Sequence, residues 1–281
     1  MKAKQYFYNN GSYEPVSDSA GEFFSLLAGE NTVLHKCWRT SGTRVPFFSE
    51  QFTLLKKDLE RNHLSGTKFT EPESVLLPVI KLLHKNRVFK GAIVHFFFTR
   101  IMDIHELPGT GMVILSESHS NERFIINTSG YHLGLLKDFV HPGFDILGRI
   151  NRLDPYGKSW KKDLEQGIDA GIIVNSEGTV VECDDSCIFL IGGDKIFTPS
   201  PDLGGSERAI RNVILSKASE VGLKVIETRM LEPGHLNDAD EVFIANDLEG
   251  IRWVAGYGEK RYFRNYSNLI LNMINSDWEK S

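Results

Sequence analysis

Short apolar runs separated by turn signals dominate the second half of this 281-residue chain. Such runs are too short for most helices and are typical of strands in a sheet-rich domain. They predict strands at Asp169–Val174, Thr179–Cys183, Cys187–Ile191, Lys195–Phe197, Lys224–Arg229, Glu241–Asn246 and Ile251–Ala255. Helices are predicted over Ser206–Val221, with Gly222 as a cap, and over about Asn265–Ile274. This half therefore reads as an α/β domain with a large share of strand.

The first half has a different pattern and predicts an α+β domain. Apolar residues at helical spacing indicate helices over Glu50–Asn62 and Glu71–Lys85. Strand-like runs follow at Gly91–Thr99, Gly111–Glu117 and Arg123–Asn127. A segment with several glycines and a proline then indicates turns between domains. At about 150 residues per domain, the length fits two domains, which we predict as residues 1–128 and 148–281 joined by a connector at 129–147.

Composition excludes several classes of protein. Lys and Arg number 32 against 37 Asp and Glu, a net charge of −5, which argues against a nucleic-acid partner. No apolar run approaches the roughly 18 residues that span a bilayer, and we see no secretory signal, so no membrane partner and a cytoplasmic location are predicted. Three cysteines and nine dispersed histidines show no metal-binding spacing, so no metal site is predicted.

Several segments occur in the order that one enzyme family shows. They are Gly148–Asp154, Asn175–Cys183, Asp185–Phe189, Thr198-Pro199, Gly205–Arg211 and Asp238–Ile244. On these segments, the chain resembles the class IV aminotransferases, also called fold-type IV pyridoxal 5′-phosphate (PLP) enzymes. Within that family it is similar to the 4-amino-4-deoxychorismate lyases.

The resemblance implies a fold and a chemistry. The fold is the two-domain architecture of branched-chain and D-amino-acid aminotransferases, with a small N-terminal domain, a larger C-terminal domain, a cleft between them and assembly as a homodimer. A lysine forms a Schiff base with PLP, and a glutamate pairs with the pyridine nitrogen. The lyases then release pyruvate from aminodeoxychorismate and leave 4-aminobenzoate.

The position that matches the Schiff-base lysine is occupied by Arg149, while Glu182 matches the glutamate. A guanidinium stays protonated and cannot condense with an aldehyde under these conditions. Arg149 is therefore not a conservative replacement for the lysine, although the segments around it are retained.

The predicted contacts to the cofactor phosphate are also altered. Gln51 and Leu54 stand where the family has a histidine and a phosphate-binding arginine, and Arg208-Ala209 replaces its Gly-Ile turn. Asp247 stands where a small or hydroxyl residue is expected, and a carboxylate there would repel a phosphate. We therefore expect no PLP in this chain.

These departures lead to the hypothesis of a PLP-independent lyase that releases pyruvate from a small, anionic, chorismate-like substrate. The predicted catalytic residues are Arg149 and Glu182. Clustered arginines bind carboxylates through paired hydrogen bonds, so Arg208, Arg100 and Arg39 are the predicted substrate-binding residues.

Two alternatives stay open. In one, the chain is a PLP-dependent lyase or aminotransferase that uses another lysine, Lys158. In the other, it is a non-catalytic binding protein on a degenerate enzyme fold. His141 is a second candidate for acid–base chemistry, although a histidine in a turn is more often exposed.

Overall fold

The described residues form two compact units. This computed structural model describes residues 5–16, 32–64, 69, 71–101, 109–141 and 166–280. The first unit extends to Arg123, and Phe124 begins the second. The fold is mixed α/β, as predicted.

The N-terminal unit is a five-stranded antiparallel sheet with two helices. Its strands lie in the order β2-β1-β5-β4-β3. The strands are β1 (Tyr6–Asn9), β2 (Ser12–Pro15), β3 (Thr32–Ser41), β4 (Gly91–Ile101) and β5 (Gly109–His119), and the helices are α1 (Phe48–Arg61) and α2 (Pro72–Lys85). Both helices and the two long predicted strands are confirmed.

Alternation along the strands gives this sheet two different faces. Leu34, Trp38, Phe96 and Phe98 are buried in one core with apolar residues of α1 and α2. The residues between them belong to the opposite face, where a smaller apolar cluster contains Phe7, Phe97, Val113 and Leu115. That second face also carries the polar side chains of His35, Cys37 and His95.

The C-terminal unit is built on a nine-stranded mixed sheet. Its order is β11-β10-β9-β12-β13-β6-β7-β8, with β14 paired to β13. The strands are β6 (Tyr131–Val140), β7 (Ala170–Val174), β8 (Val180–Cys183), β9 (Cys187–Gly192), β10 (Lys195–Pro199), β11 (Lys224–Thr228), β12 (Glu241–Asn246), β13 (Gly250–Tyr257) and β14 (Lys260–Arg261). The helices are α3 (Ala209–Glu220) and α4 (Tyr266–Lys280).

The predicted connector at 129–147 is wrong for its described part, because residues 131–140 form β6. This strand lies inside the second unit's sheet and pairs in parallel with both β13 and β7. Gly134 is a packing glycine, since a Cβ there would lie 3.0 Å from the Ile168 side chain. The segment whose glycines suggested turns thus contains the buried core residues Leu133 and Leu136.

The predicted strand at 123–127 is also wrong, because side-chain amides take the place of a partner strand. Asn275 of α4 accepts from the Phe124 N–H at 3.1 Å and donates to the Phe124 carbonyl at 2.9 Å. Asn127 makes the same two-way contact with the backbone of Trp253. Phe124 further packs edge-on against Trp278. The segment is therefore fixed without ladder pairing.

Candidate active site in the C-terminal unit

Strand β8 carries Glu182 into the interior of the C-terminal unit. All of its residues, Val180–Cys183, are buried, and Glu182 lies opposite Ile173 of β7. The turn at 204–208 packs against the same strand, since a Cβ on Gly205 would lie 3.2 Å from the Val181 carbonyl. This packing brings the Ser206 N–H within 3.2 Å of Glu182 Oε2.

Glu182 and His141 form a buried acid–base pair. His141 follows β6, its N–H donates to the Val174 carbonyl, and the residue is 3% exposed. Its Nε2 lies 3.8 Å from Glu182 Oε1. Among the described residues, Glu182 Oε1 has no hydrogen-bond partner. The expectation of an exposed turn histidine is wrong, because β6 ends inside the sheet.

Burial favours the neutral forms of the Glu182 carboxyl and the His141 ring. It raises the pKa of Glu182 to about 7, against the opposing effects of Arg208 and the Ser206 N–H. Burial also lowers the pKa of His141. A carboxyl with a pKa close to neutral pH can both take and give a proton, which is what general acid–base catalysis requires.

The N-terminus of α3 already holds an anion, which is the carboxylate of Asp247. Its Oδ1 accepts from the Ile210 N–H at 2.7 Å and its Oδ2 from the Ala209 N–H at 3.3 Å. Asp247 directly follows β12, whose first residue, Glu241, in the same way accepts the N–H groups at the start of α4. The positive end of each helix dipole is thus matched by a carboxylate of the chain itself.

Arg208 lies among carboxylates, immediately before α3. Burial alone would lower the pKa of its guanidinium, but Asp185, Glu182 and Asp247 together raise it. The described groups around Arg208 therefore include more acidic than basic charge. This arrangement weakens the prediction that Arg208 binds an anionic substrate, because its charge is already balanced.

The other predicted site residues divide into three cases. Arg149 and Lys158 lie outside the described residues, and Arg100 lies in β4 with its side chain outside them. Arg39 is described and 3% exposed. Its Nη2 donates to the carbonyls of Asn121 and Arg123, at 2.8 and 2.6 Å. These contacts hold a loop of the N-terminal unit and do not support substrate binding by Arg39.

Gln51 has an internal role as well. It is buried in α1, and its Nε2 donates to the Pro46 carbonyl at 2.7 Å. The substitution at this position thus supports packing within the N-terminal unit.

Sequence reasoning missed a cluster in that unit. His35 and Cys37 of β3 and His95 of β4 bring three ligand-type atoms close together. The two histidines are far apart in the sequence, and the pairing of β3 with β4 brings their side chains together. The His-x-Cys alternation in a strand was the available signal, since it places both side chains on one face.

The fold family binds PLP, and the described residues do not fit its phosphate. The N–H groups at the start of α3 are engaged by Asp247, and a phosphate there would meet a carboxylate. Like charges about 4 Å apart repel by about 4 kcal/mol at an effective dielectric near 20.

Comparison with known proteins agrees with this architecture. Residues 151–257 match the model of the family described as amino-transferase class IV. The resemblance predicted from the sequence is thus confirmed for this region, and the members of the family compared here are enzymes.

Individual relatives extend the likeness. An 81-residue stretch, 29% of this chain, is 35% identical to the "Probable branched-chain-amino-acid aminotransferase" of Aquifex aeolicus, and it spans only 26% of that relative. The solved structure of the branched-chain aminotransferase of Thermoproteus uzoniensis superposes with a TM-score of 0.76 and 16% identity. The match covers 99% of this chain and 97% of the aminotransferase. For the 4-amino-4-deoxychorismate lyase of Pseudomonas aeruginosa, the coverages are 96% and 98%, the TM-score 0.73 and the identity 14%.

Among the described residues, no helix has the length and apolar character needed to cross a membrane.

Proposed function

We propose that this chain is a lyase that releases pyruvate from a chorismate-like anionic substrate without a PLP Schiff base. The observation that carries the proposal is the buried Glu182 carboxyl, whose pKa is raised to about 7 and whose Oε1 has no hydrogen-bond partner among the described residues. The carboxylate at the start of α3 supports the same proposal, because it takes the N–H groups that a cofactor phosphate would need.

The reaction needs one proton transfer in each direction. Glu182, as a carboxylate, removes the hydrogen from the ring carbon that bears the amino or hydroxyl group, which is adjacent to the carbon that bears the enolpyruvyl ether. The C–H electrons form the new ring double bond as the C–O bond breaks, and the ring becomes aromatic. Glu182 then returns the proton to the departing enolpyruvate, which tautomerises to pyruvate. No oxidant or reductant is consumed, and aromatisation supplies the driving force.

His141 is the second described residue of the proposed site. His141 Nε2 lies 3.8 Å from Glu182 Oε1, and both side chains are buried. Arg149 lies outside the described residues, and its role in binding the substrate carboxylate stays a prediction from the sequence.

A coupled pyruvate assay tests this function. The purified chain, with and without added PLP, is given chorismate or aminodeoxychorismate. We expect release without PLP, and a loss of about 10²- to 10⁴-fold in Glu182→Gln, the range for a lost acid–base group. Glu177→Gln, at an exposed turn, is the matched control. No pyruvate from either substrate with folded protein would contradict the proposal.

A second candidate is a PLP-dependent lyase or aminotransferase that uses Lys158. It is favoured by Glu182 Oε1, which could accept the N–H of a pyridinium ring, and by the names of the relatives. It predicts a violet-absorbing protein that borohydride fixes to a lysine, identified by peptide mapping. A colourless protein that ignores added PLP excludes it.

A non-catalytic binding protein is the third candidate, and it predicts that chorismate binds with no turnover. A homodimer and a cytoplasmic location stay predictions for any of the three. Light scattering of the purified chain tests the dimer.

A further inference from the structure

Strand register in the N-terminal unit places two histidines and a cysteine together on one face of the sheet. His35 and Cys37 are two residues apart in β3, so their side chains share a face. His95 of β4 lies directly opposite Cys37 in the antiparallel register. Lys36 of the same strand forms an ion pair with Asp58 of α1, which shows that the helices cover the other face. The cluster is therefore held by rigid elements.

Three potential ligand atoms converge in this cluster. His35 Nε2 lies 3.2 Å from His95 Nδ1, and Cys37 Sγ lies 3.3 Å and 3.2 Å from these two nitrogens. A tetrahedral zinc ion with Zn–N near 2.0–2.1 Å and Zn–S near 2.3 Å sets the N···N edge at about 3.3 Å and the S···N edges at about 3.6 Å. The triangle thus needs to open by only about 0.4 Å to accept such an ion.

Hydrogen bonds alone do not satisfy this triangle. A neutral imidazole has one N–H and one acceptor nitrogen, and a thiol offers one weak donor. If His95 Nδ1 accepts from its neighbours, the proton of His95 must lie on Nε2. That nitrogen is buried and has no hydrogen-bond partner among the described residues. A bound metal ion would be coordinated by one lone pair from each of the three ligand atoms, which would replace their contacts with one another.

Glu117 of β5 occupies the place of an outer carboxylate. Its Oε1 lies 3.9 Å from His95 Nε2, on the far side of the ring from the cluster. Metal-binding histidines usually donate their second N–H to such a group, which fixes the tautomer and orients the ring. A metal bound at Nδ1 would place the proton on Nε2, facing this carboxylate.

The protonation states favour the two histidines as ligands. Burial lowers the pKa of His35 to about 4, with further lowering from His95 and Lys36, and burial also lowers the pKa of His95. In both cases burial favours the neutral ring, whose lone pair can bind a metal ion. Burial raises the pKa of Cys37 to about 12, so metal binding must release the thiol proton.

We propose that His35, Cys37 and His95 form a binding site for a zinc-like divalent transition-metal ion. Three protein ligands leave one tetrahedral position for water or for an exogenous oxygen or nitrogen ligand, as in catalytic rather than structural zinc sites. This site is independent of the Glu182 chemistry, which lies in the other unit.

Metal analysis and optical spectroscopy test the site on the full chain. After exposure to ZnCl₂ and dialysis, we expect one Zn²⁺ per chain. With CoCl₂, we expect visible d–d bands of tetrahedral intensity and a near-ultraviolet thiolate-to-cobalt band. Cys37→Ser should abolish the thiolate band and weaken zinc binding at least 10-fold, and His95→Gln should weaken it by 10- to 100-fold. His119→Gln, on neighbouring β5, is the matched control and should bind as the wild type does.

A second measurement needs no variant. Cys37 is partly exposed, whereas Cys183 and Cys187 are buried, so iodoacetamide should label Cys37 first. Zn²⁺ should slow that labelling. Absence of bound zinc in the wild-type chain, equal zinc binding in Cys37→Ser and the wild type, or unchanged labelling with zinc present would each overturn the proposal.

Discussion

The polar groups at the start of α3 and those on the second face of the N-terminal sheet, the face of His35, Cys37 and His95, have contrasting surroundings. At α3, the backbone N–H groups and the Arg208 guanidinium are matched by carboxylates of the chain itself. On the second face of the N-terminal sheet, the side chains of His35, Cys37 and His95 contact one another, and none of the three is an acidic group. The chain thus satisfies the start of α3 with its own carboxylate, whereas the N-terminal sheet presents a set of electron-pair donors.

The largest expected effect concerns Glu182 and its dependence on pH. The folded-state pKa, about 7, lies above the ordinary value of 4.5. Between pH 4.5 and pH 7, the folded chain keeps the Glu182 proton that the unfolded chain has lost. The free energy of unfolding therefore falls as the pH rises through this range. At about 1.4 kcal/mol per pH unit, the loss approaches about 3 kcal/mol.

Glu182→Gln should remove that loss, since glutamine carries no charge at any pH. Relative to the wild type, the variant should gain about 2–3 kcal/mol in free energy of unfolding between pH 5 and pH 8, measured by parallel urea titrations. Glu177→Gln should gain none. An equal difference at both pH values would mean that Glu182 is not held in a proton-retaining environment.

A smaller effect is expected at the start of α3. Asp247→Ala removes the acceptor for two N–H groups and should cost about 1–2 kcal/mol in free energy of unfolding, the usual cost of a lost helix cap. The freed N–H groups should then bind inorganic phosphate, which would raise the melting temperature of the variant but not of the wild type.

Asp238→Ala, at an exposed position with no such contact, is the control for this comparison. Equal stabilisation of the wild type and Asp247→Ala by phosphate would show that the carboxylate does not block the helix terminus. Calorimetry with increasing phosphate gives both quantities from one series.

The smallest expected effect concerns Arg39. Arg39→Lys replaces a planar guanidinium that reaches two carbonyls by a single ammonium group, and should cost about 1 kcal/mol in free energy of unfolding. Chemical denaturation measures this loss. A raised KM for pyruvate release with unchanged stability would instead support a role in substrate binding.

Much of the fold could be predicted because its elements follow local patterns. The apolar stripes of α1 and α2 and the turn signals around β7–β10 place those elements within about two residues of their observed ends. The exceptions depend on distant contacts. Helix α4 continues past the predicted Ile274 because Trp278 is buried against Phe124, and α3 begins at Ala209 because Ser206 is engaged by Glu182.

The candidate site could be predicted only in part, for a related reason. Glu182 could be identified because it lies in a recognisable motif. Its pairing with His141 depends on β6 joining the sheet beside β7, which the glycines of that segment conceal. The His35–Cys37–His95 cluster depends on strand register, which single-sequence patterns do not give.

The two-way contact between Asn275 and the Phe124 backbone has a consequence for biosynthesis. The first residue of the second unit is fastened by one that lies 151 positions later, six residues before the end of the chain. These contacts can therefore form only after α4 has been synthesised and has left the ribosomal exit tunnel, and proteolytic removal of α4 would also release Phe124 at the beginning of the unit.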